Sequence, residues 1–149
     1  MGKFEQALRD LNRSLELDEN NMWSCGWRGE IYRSMGQYDL ALVDLTKLIE
    51  AGKADPDDTA RRAATYIVLG NTASAQKDLD FVLSFECKKT VDHYGRGLAL
   101  ILSNRISESF AEFEIAFTDN FFRQKARVDN LIDPIRDLPE FKALLARFD

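Results

Sequence analysis

The side chains that could carry out chemistry are few and scattered. His93 is the sole histidine, and the two cysteines, Cys25 and Cys87, are far apart with no CxxC pair between them. A Cys–His nucleophile or a zinc site needs that histidine beside a sulfur, and the repeat register described below does not favour the meeting. Gly95-Arg96-Gly97 is no phosphate loop, because Leu100 stands where a third glycine is needed and no strand pattern precedes it. Asp78 with Asp80, and Glu112 with Glu114, fall in register on faces left to solvent, with no pocket in prospect. Arg61-Arg62, Lys88-Lys89 and the group Arg123, Lys125, Arg127 lack the interleaved aromatic platforms on which single-stranded bases stack. The net charge of −5 also opposes attraction to phosphate backbones. The expectation is therefore no catalysis, no metal, no cofactor and no nucleic-acid partner.

The totals agree with a plain folded domain. Of 149 residues, 45% are apolar and 30% charged, the balance of a chain that builds a packed core. The longest strictly apolar stretch, 98–102, is far short of the roughly 20 residues that cross a bilayer. No charged-then-apolar signal segment opens the chain, and Gln6 stands where a myristoylation signal carries Ser or Thr. Two unpaired thiols suit a reducing compartment, so the cytoplasm is the expected location.

The elements that hold these residues follow from self-comparison. A spacing of 34 residues recurs along most of the chain. Gly2, Gly36, Gly70 and Asn104 share it; so do Ala7, Ala41, Ala75 and Ser109, then Leu11, Leu45, Leu79 and Phe113, and Leu15, Ile49, Leu83 and Phe117. Gly and Asn most readily take the left-handed conformation that ends a helix, so the first column predicts interhelical turns. The columns after it place one small and several large apolar residues on a single helical stripe.

The stretches before the turns, 22–35, 56–69, 90–103 and 122–132, are also helical in pattern, with Gly29, Ala63 and Gly97 aligned at one small position and Tyr32, Tyr66 and Leu100 three residues later. Small residues on both partners let paired helices approach closely. Asn20-Asn21, Asp55-Pro56 and Thr90 supply start signals. The late position of Pro56 predicts a delayed or shortened third unit, and no strand is needed anywhere.

Arg28-Gly29-Glu30-Ile31-Tyr32-Arg33-Ser34-Met35-Gly36-Gln37-Tyr38-Asp39-Leu40-Ala41-Leu42 resembles the tetratricopeptide repeat family in the style of bacterial tandem copies, and the resemblance extends over residues 2–132. It departs from the family at Cys25, Thr59 and His93, where an aromatic residue is usual, and at Leu48 and Val82, where a small one is. The resemblance implies an all-α, right-handed superhelical solenoid of antiparallel helix pairs. The expected division is a lone second helix over 2–21, repeats over 22–55, 56–89 and 90–121, and a final helix plus a C-terminal capping helix over 122–149. In that last part Asp133-Pro134 interrupts the helix, and Phe141, Leu144, Leu145 and Phe148 form the stripe of the cap.

Such solenoids bind proteins, so the resemblance implies a non-catalytic scaffold cut from a larger protein, with a protein or peptide in the concave groove lined by the first helix of each pair. Carried over by position, the groove comprises Trp23, Trp27, Glu30 and Arg33; Asp57, Arg61, Ala64 and Ile67; and Val91, Tyr94, Leu98 and Ile101. Chaperone-binding members grip a terminal carboxylate with Lys and Asn, but Gly26, Trp27, Glu30 and Asp57 fill those places and only Arg61 agrees. The expected ligand is instead an apolar helix or an extended peptide anchored by Trp and Tyr. The alternative is a spacer or self-associating module, a homodimer formed through the unpartnered Phe4, Ala7, Leu11 face of the first helix.

Overall fold

A computed structural model describes residues 2–148. Helix α1 (Gly2–Leu17) leads three helix pairs: α2 (Met22–Ser34) with α3 (Tyr38–Glu50), α4 (Pro56–Val68) with α5 (Thr72–Ser84), and α6 (Thr90–Leu102) with α7 (Ile106–Ala116). Members of each pair pack together, and α4 also packs on α3 and α6, so the pairs stack as a solenoid with no strand among the described residues. First helices begin at Met22, Pro56 and Thr90, and second helices at Tyr38, Thr72 and Ile106, each series keeping the 34-residue spacing.

The turns form where the first column places them. Gly36, Gly70 and Asn104 hold φ of +75°, +76° and +58°. That reversal lets the next amides, of Gln37, Asn71 and Arg105, donate back to the carbonyls of Tyr32, Tyr66 and Leu100 at 2.8, 2.9 and 2.8 Å, closing three otherwise open helix ends. Gly2 shares the column but lies inside α1, so the predicted turn does not form there. The third unit is not delayed: α4 starts in register at Pro56, because the Asp55 and Asp58 carboxylates each accept the other's backbone N–H at 3.1 Å and fix that start. At α6, Asp92 does the work foreseen for Thr90, accepting from the amides of Lys88 and Lys89 at 2.9 Å.

Small-against-large columns explain the pairing. A Cβ on Gly29 would lie 3.1 Å from Leu45, and one on Gly97 would lie 2.8 Å from the Phe113 ring, so each small position of a first helix receives the large residue of its second helix. The closest approach joins two repeats: a Cβ on Gly95 would lie 2.3 Å from the Asp57 backbone nitrogen. There α6 runs against the first turn of α4, backbone to backbone.

The C-terminal part comprises α8 (Asn120–Val128), a 3-10 turn (Asn130–Ile132), α9 (Asp133–Arg136) and α10 (Pro139–Ala146). The helix expected over 122–132 stops at Val128, because Asp129 takes an extended backbone and its carboxylate accepts from the Leu131 amide at 3.0 Å. The Arg136 guanidinium holds that corner, donating to the carbonyls of Ala126, Arg127 and Asp129 at 3.0, 2.7 and 2.7 Å. α10 packs on α7, burying Phe141 and Leu144 in the core built around Phe113, Phe117 and Tyr94.

Gly95→Ala is expected to destabilise the chain by about 1–3 kcal/mol in urea unfolding, since backbone must move and a helix-propensity gain of up to about 1 kcal/mol offsets only part of that. Gly26→Ala meets only side-chain ends, the tip of Leu48 at 3.2 Å and Asp58 Oδ1 at 3.6 Å, and should stay within about 1 kcal/mol of the wild type; equal losses would contradict the close approach.

Candidate functional site

Of the residues expected to line a groove, Glu30, Arg33, Asp57, Arg61 and Tyr94 are brought together by α2, α4 and α6 and meet the C-terminal part of the same chain. Lys125 of α8 reaches Asp57 of α4 at 2.8 Å and Glu30 of α2 at 3.2 Å. Its ammonium also lies 5.3, 5.8 and 5.9 Å from the ring centres of Trp27, Tyr94 and Phe121, close enough for cation–π attraction. One turn on, Asp129 meets Arg61 at 2.5 Å and accepts from the Tyr94 hydroxyl at 3.0 Å. Arg33 donates to the Asn130 side chain. Arg61, Tyr94 and Arg33 are therefore buried against residues 120–132, and Leu98 is buried in the core.

Arg61 is the centre of this network. It is 1% exposed and is ion-paired with Asp57 at 3.1 Å and Glu30 at 3.4 Å as well as with Asp129. Burial alone would lower its proton affinity, but the surrounding carboxylates, Asp57 first, hold it well above the ordinary arginine value. Burial likewise opposes the charge on Asp129, which Arg61 overrides, keeping that carboxyl ionised far below the usual range. Lys125 is raised in the same way: desolvation works against it, and Asp57 and Glu30 together outweigh that loss.

What remains open is the mouth of the groove, a cavity of about 550 Å³ between α2, α4 and α8. Trp23, 70% exposed, stands at its rim with its ring 6.0 Å from that of Trp27, which in turn meets Phe121 edge-on at 6.3 Å. Leu48 and Val91 complete the apolar wall, and Asp55, Asp57, Asp58 and Glu30 give it an acidic side. Burial, then the charges of Asp55 and Asp57, push the Asp58 carboxyl up to about 8. Of the remaining residues assigned to the groove, Ile67 lies exposed near the end of α4. On α1, Leu11 is buried, Ala7 half-buried and Phe4 exposed, and the helix packs mainly on α2.

Two features escape a reading of the sequence. Arg28 with Asp44, Arg62 with Asp78 and Arg96 with Glu112 form one ion pair repeated in each unit, at 2.7, 2.8 and 3.0 Å. Asp78 and Glu112 are thus partnered and shielded rather than left on solvated faces; the signal was a matching 34-residue column of arginines. The second is that His93 does have a sulfur beside it, since the connection after α5 carries Cys87 to His93 and Glu112.

Residues 24–54 match the family model for the tetratricopeptide repeat. Over 94 residues, 60% of the chain, the sequence is 30% identical to the Hsp70-Hsp90 organizing protein of Triticum aestivum, and it spans 16% of that relative's length. The chain contains a tetratricopeptide repeat at α2–α3, and the pairs α4–α5 and α6–α7 repeat its form.

Folded Asp58 keeps a proton up to about pH 8, whereas an ordinary carboxyl loses it near 3.8, so stability should fall as pH rises through that window. Asp58→Asn should flatten the fall between about pH 4 and 8 in urea unfolding. An unchanged slope would show that Asp58 titrates normally.

Proposed function

We propose that this chain is a non-catalytic protein-interaction scaffold that takes up one segment of a partner at the mouth formed by Trp23, Trp27 and Phe121. The tetratricopeptide repeat and a relative whose name describes bringing two proteins together support the scaffold role. The observation that carries the finer reading is Trp23, a large ring held mostly in water at the edge of an aromatic cavity. A partially exposed indole beside a second indole is the kind of anchor on which interfaces concentrate their affinity. The deeper groove residues, Arg33, Arg61, Tyr94 and Leu98, shape this mouth from below by holding residues 120–132 in place, while Trp23, Trp27 and Glu30 touch the partner.

Charge selects the partner's chemistry. Glu30, Asp55 and Asp57 face Lys53 and Lys125 around the cavity, while Asp58 keeps its proton, and Lys125 is already engaged. The mouth therefore favours an apolar or aromatic side chain flanked by Lys or Arg, on a helix or an extended peptide. A chaperone tail ending in a carboxylate fits poorly, because Arg61, the one matching cation, already holds the carboxylate of Asp129. Two free cysteines, one buried, suit the reducing cytoplasm. A second reading, self-association, rests on α1, where Phe4 is 44% exposed on a helix that packs mainly on α2.

An array of short peptides varying in charge and aromatic content tests the proposal. Basic-aromatic peptides should bind and shift the tryptophan emission. Trp23→Ala should weaken them by about 30-fold, the loss of an interfacial anchor of about 2 kcal/mol. Preference for acidic or carboxylate-ended peptides, or indifference to Trp23→Ala, would overturn it. Silence across the array together with concentration-dependent dimers would move the assignment to the α1 face.

A further inference from the structure

The third repeat differs from the two before it at one charged position. In the first two, a short aspartate meets its arginine through both oxygens: Arg28 donates to Asp44 at 2.7 and 2.7 Å, and Arg62 to Asp78 at 2.8 and 2.8 Å. In the third, the longer Glu112 offers only Oε1 to Arg96, at 3.0 Å, and turns Oε2 to His93 Nδ1, at 2.7 Å. Arg96 is held from its other side by the Phe85 carbonyl at 3.2 Å, which keeps the guanidinium on the far oxygen of the carboxylate. Cys87, in the non-helical connection between α5 and α6, completes the group: one donor atom from each of Cys87, His93 and Glu112 lies within 4.8 Å of the other two.

We propose that Cys87, His93 and Glu112 form a binding site for a zinc-class divalent ion, with a fourth position left to water or to a partner's side chain. Thiolate, imidazole and carboxylate are the ligand types that zinc takes, at about 2.0–2.3 Å, which puts neighbouring donors roughly 3.3–3.8 Å apart. Reaching that spacing requires a shift on the order of 1 Å, and Cys87 is free of helical backbone constraint to supply it. The ion replaces the His93–Glu112 hydrogen bond and displaces the thiol proton, which leaves to solvent, so binding strengthens as pH rises. Arg96, bound to the outer oxygen, orients the carboxylate much as an outer-shell partner does at other metal sites. The ion would tie the connection after α5 to both α6 and α7.

Titration of the reduced, metal-free chain with cobalt(II), followed by zinc(II), tests this. One cobalt ion should bind with a sulfur-to-cobalt charge-transfer band that zinc abolishes. Cys87→Ser should remove the band, and Cys25→Ser should not. His93→Gln and Glu112→Gln should each weaken zinc at least about tenfold, with helical circular dichroism intact in every variant. A missing sulfur band in the wild type, or a band that survives both His93→Gln and Glu112→Gln unchanged, overturns the site.

Discussion

The rest of the structure depends on a buried positive charge that cannot be left alone. Arg61 sits in the middle of α4 with 1% of its side chain exposed, facing residues 120–132. An unpaired guanidinium there would cost several kcal/mol, so carboxylates must come to it. Two are local, Asp57 one turn before it and Glu30 on the preceding repeat. The third, Asp129, lies 68 residues away, and bringing it in lays α8 and the 3-10 turn across the groove. Lys125, Tyr94 and Arg33 then gain partners on the same path.

From that constraint the remaining site follows. Residues 120–132 of the chain cover Arg61 and Tyr94, and the cavity beside them stays open at the edge where α2 and α8 expose Trp23 and Phe121. The acidic side of this mouth arises from the capping of α4, since Asp55 and Asp58 are needed to satisfy backbone amides at its first turn. The same turn lies against Gly95, so the distance between α4 and α6 is set by backbone contact rather than by side chains. Fold stability and the proposed recognition therefore draw on the same few residues.

The periodic part of this architecture was legible in the residues, and the aperiodic part was not. Turn glycines, small positions and large apolar positions repeat because each unit solves the same packing problem, so the columns place α2 to α7 directly. The Arg28, Arg62, Arg96 column was equally periodic, yet its partners lie 16 residues away on another helix, and a charge reads first as a surface residue. The crossing of the groove has no periodic signature at all. Lys125 and Asp129 look like ordinary polar residues of a last helix until Asp57 and Arg61 are seen beneath them. Cys87 meets His93 only through the course of a short connection, which no helical register describes.

A double-mutant cycle on Arg61 and Asp129, followed by urea unfolding at neutral pH, tests the central claim most directly. If the buried pair holds residues 120–132 against α4, Arg61→Met should cost about 3–5 kcal/mol and Asp129→Asn less, since Asp57 and Glu30 still pair with Arg61, and the two together should cost less than their sum, because the double variant leaves neither Arg61 nor Asp129 charged without the other. Simple additivity, or single losses near zero, would contradict the account and reopen the groove along its length.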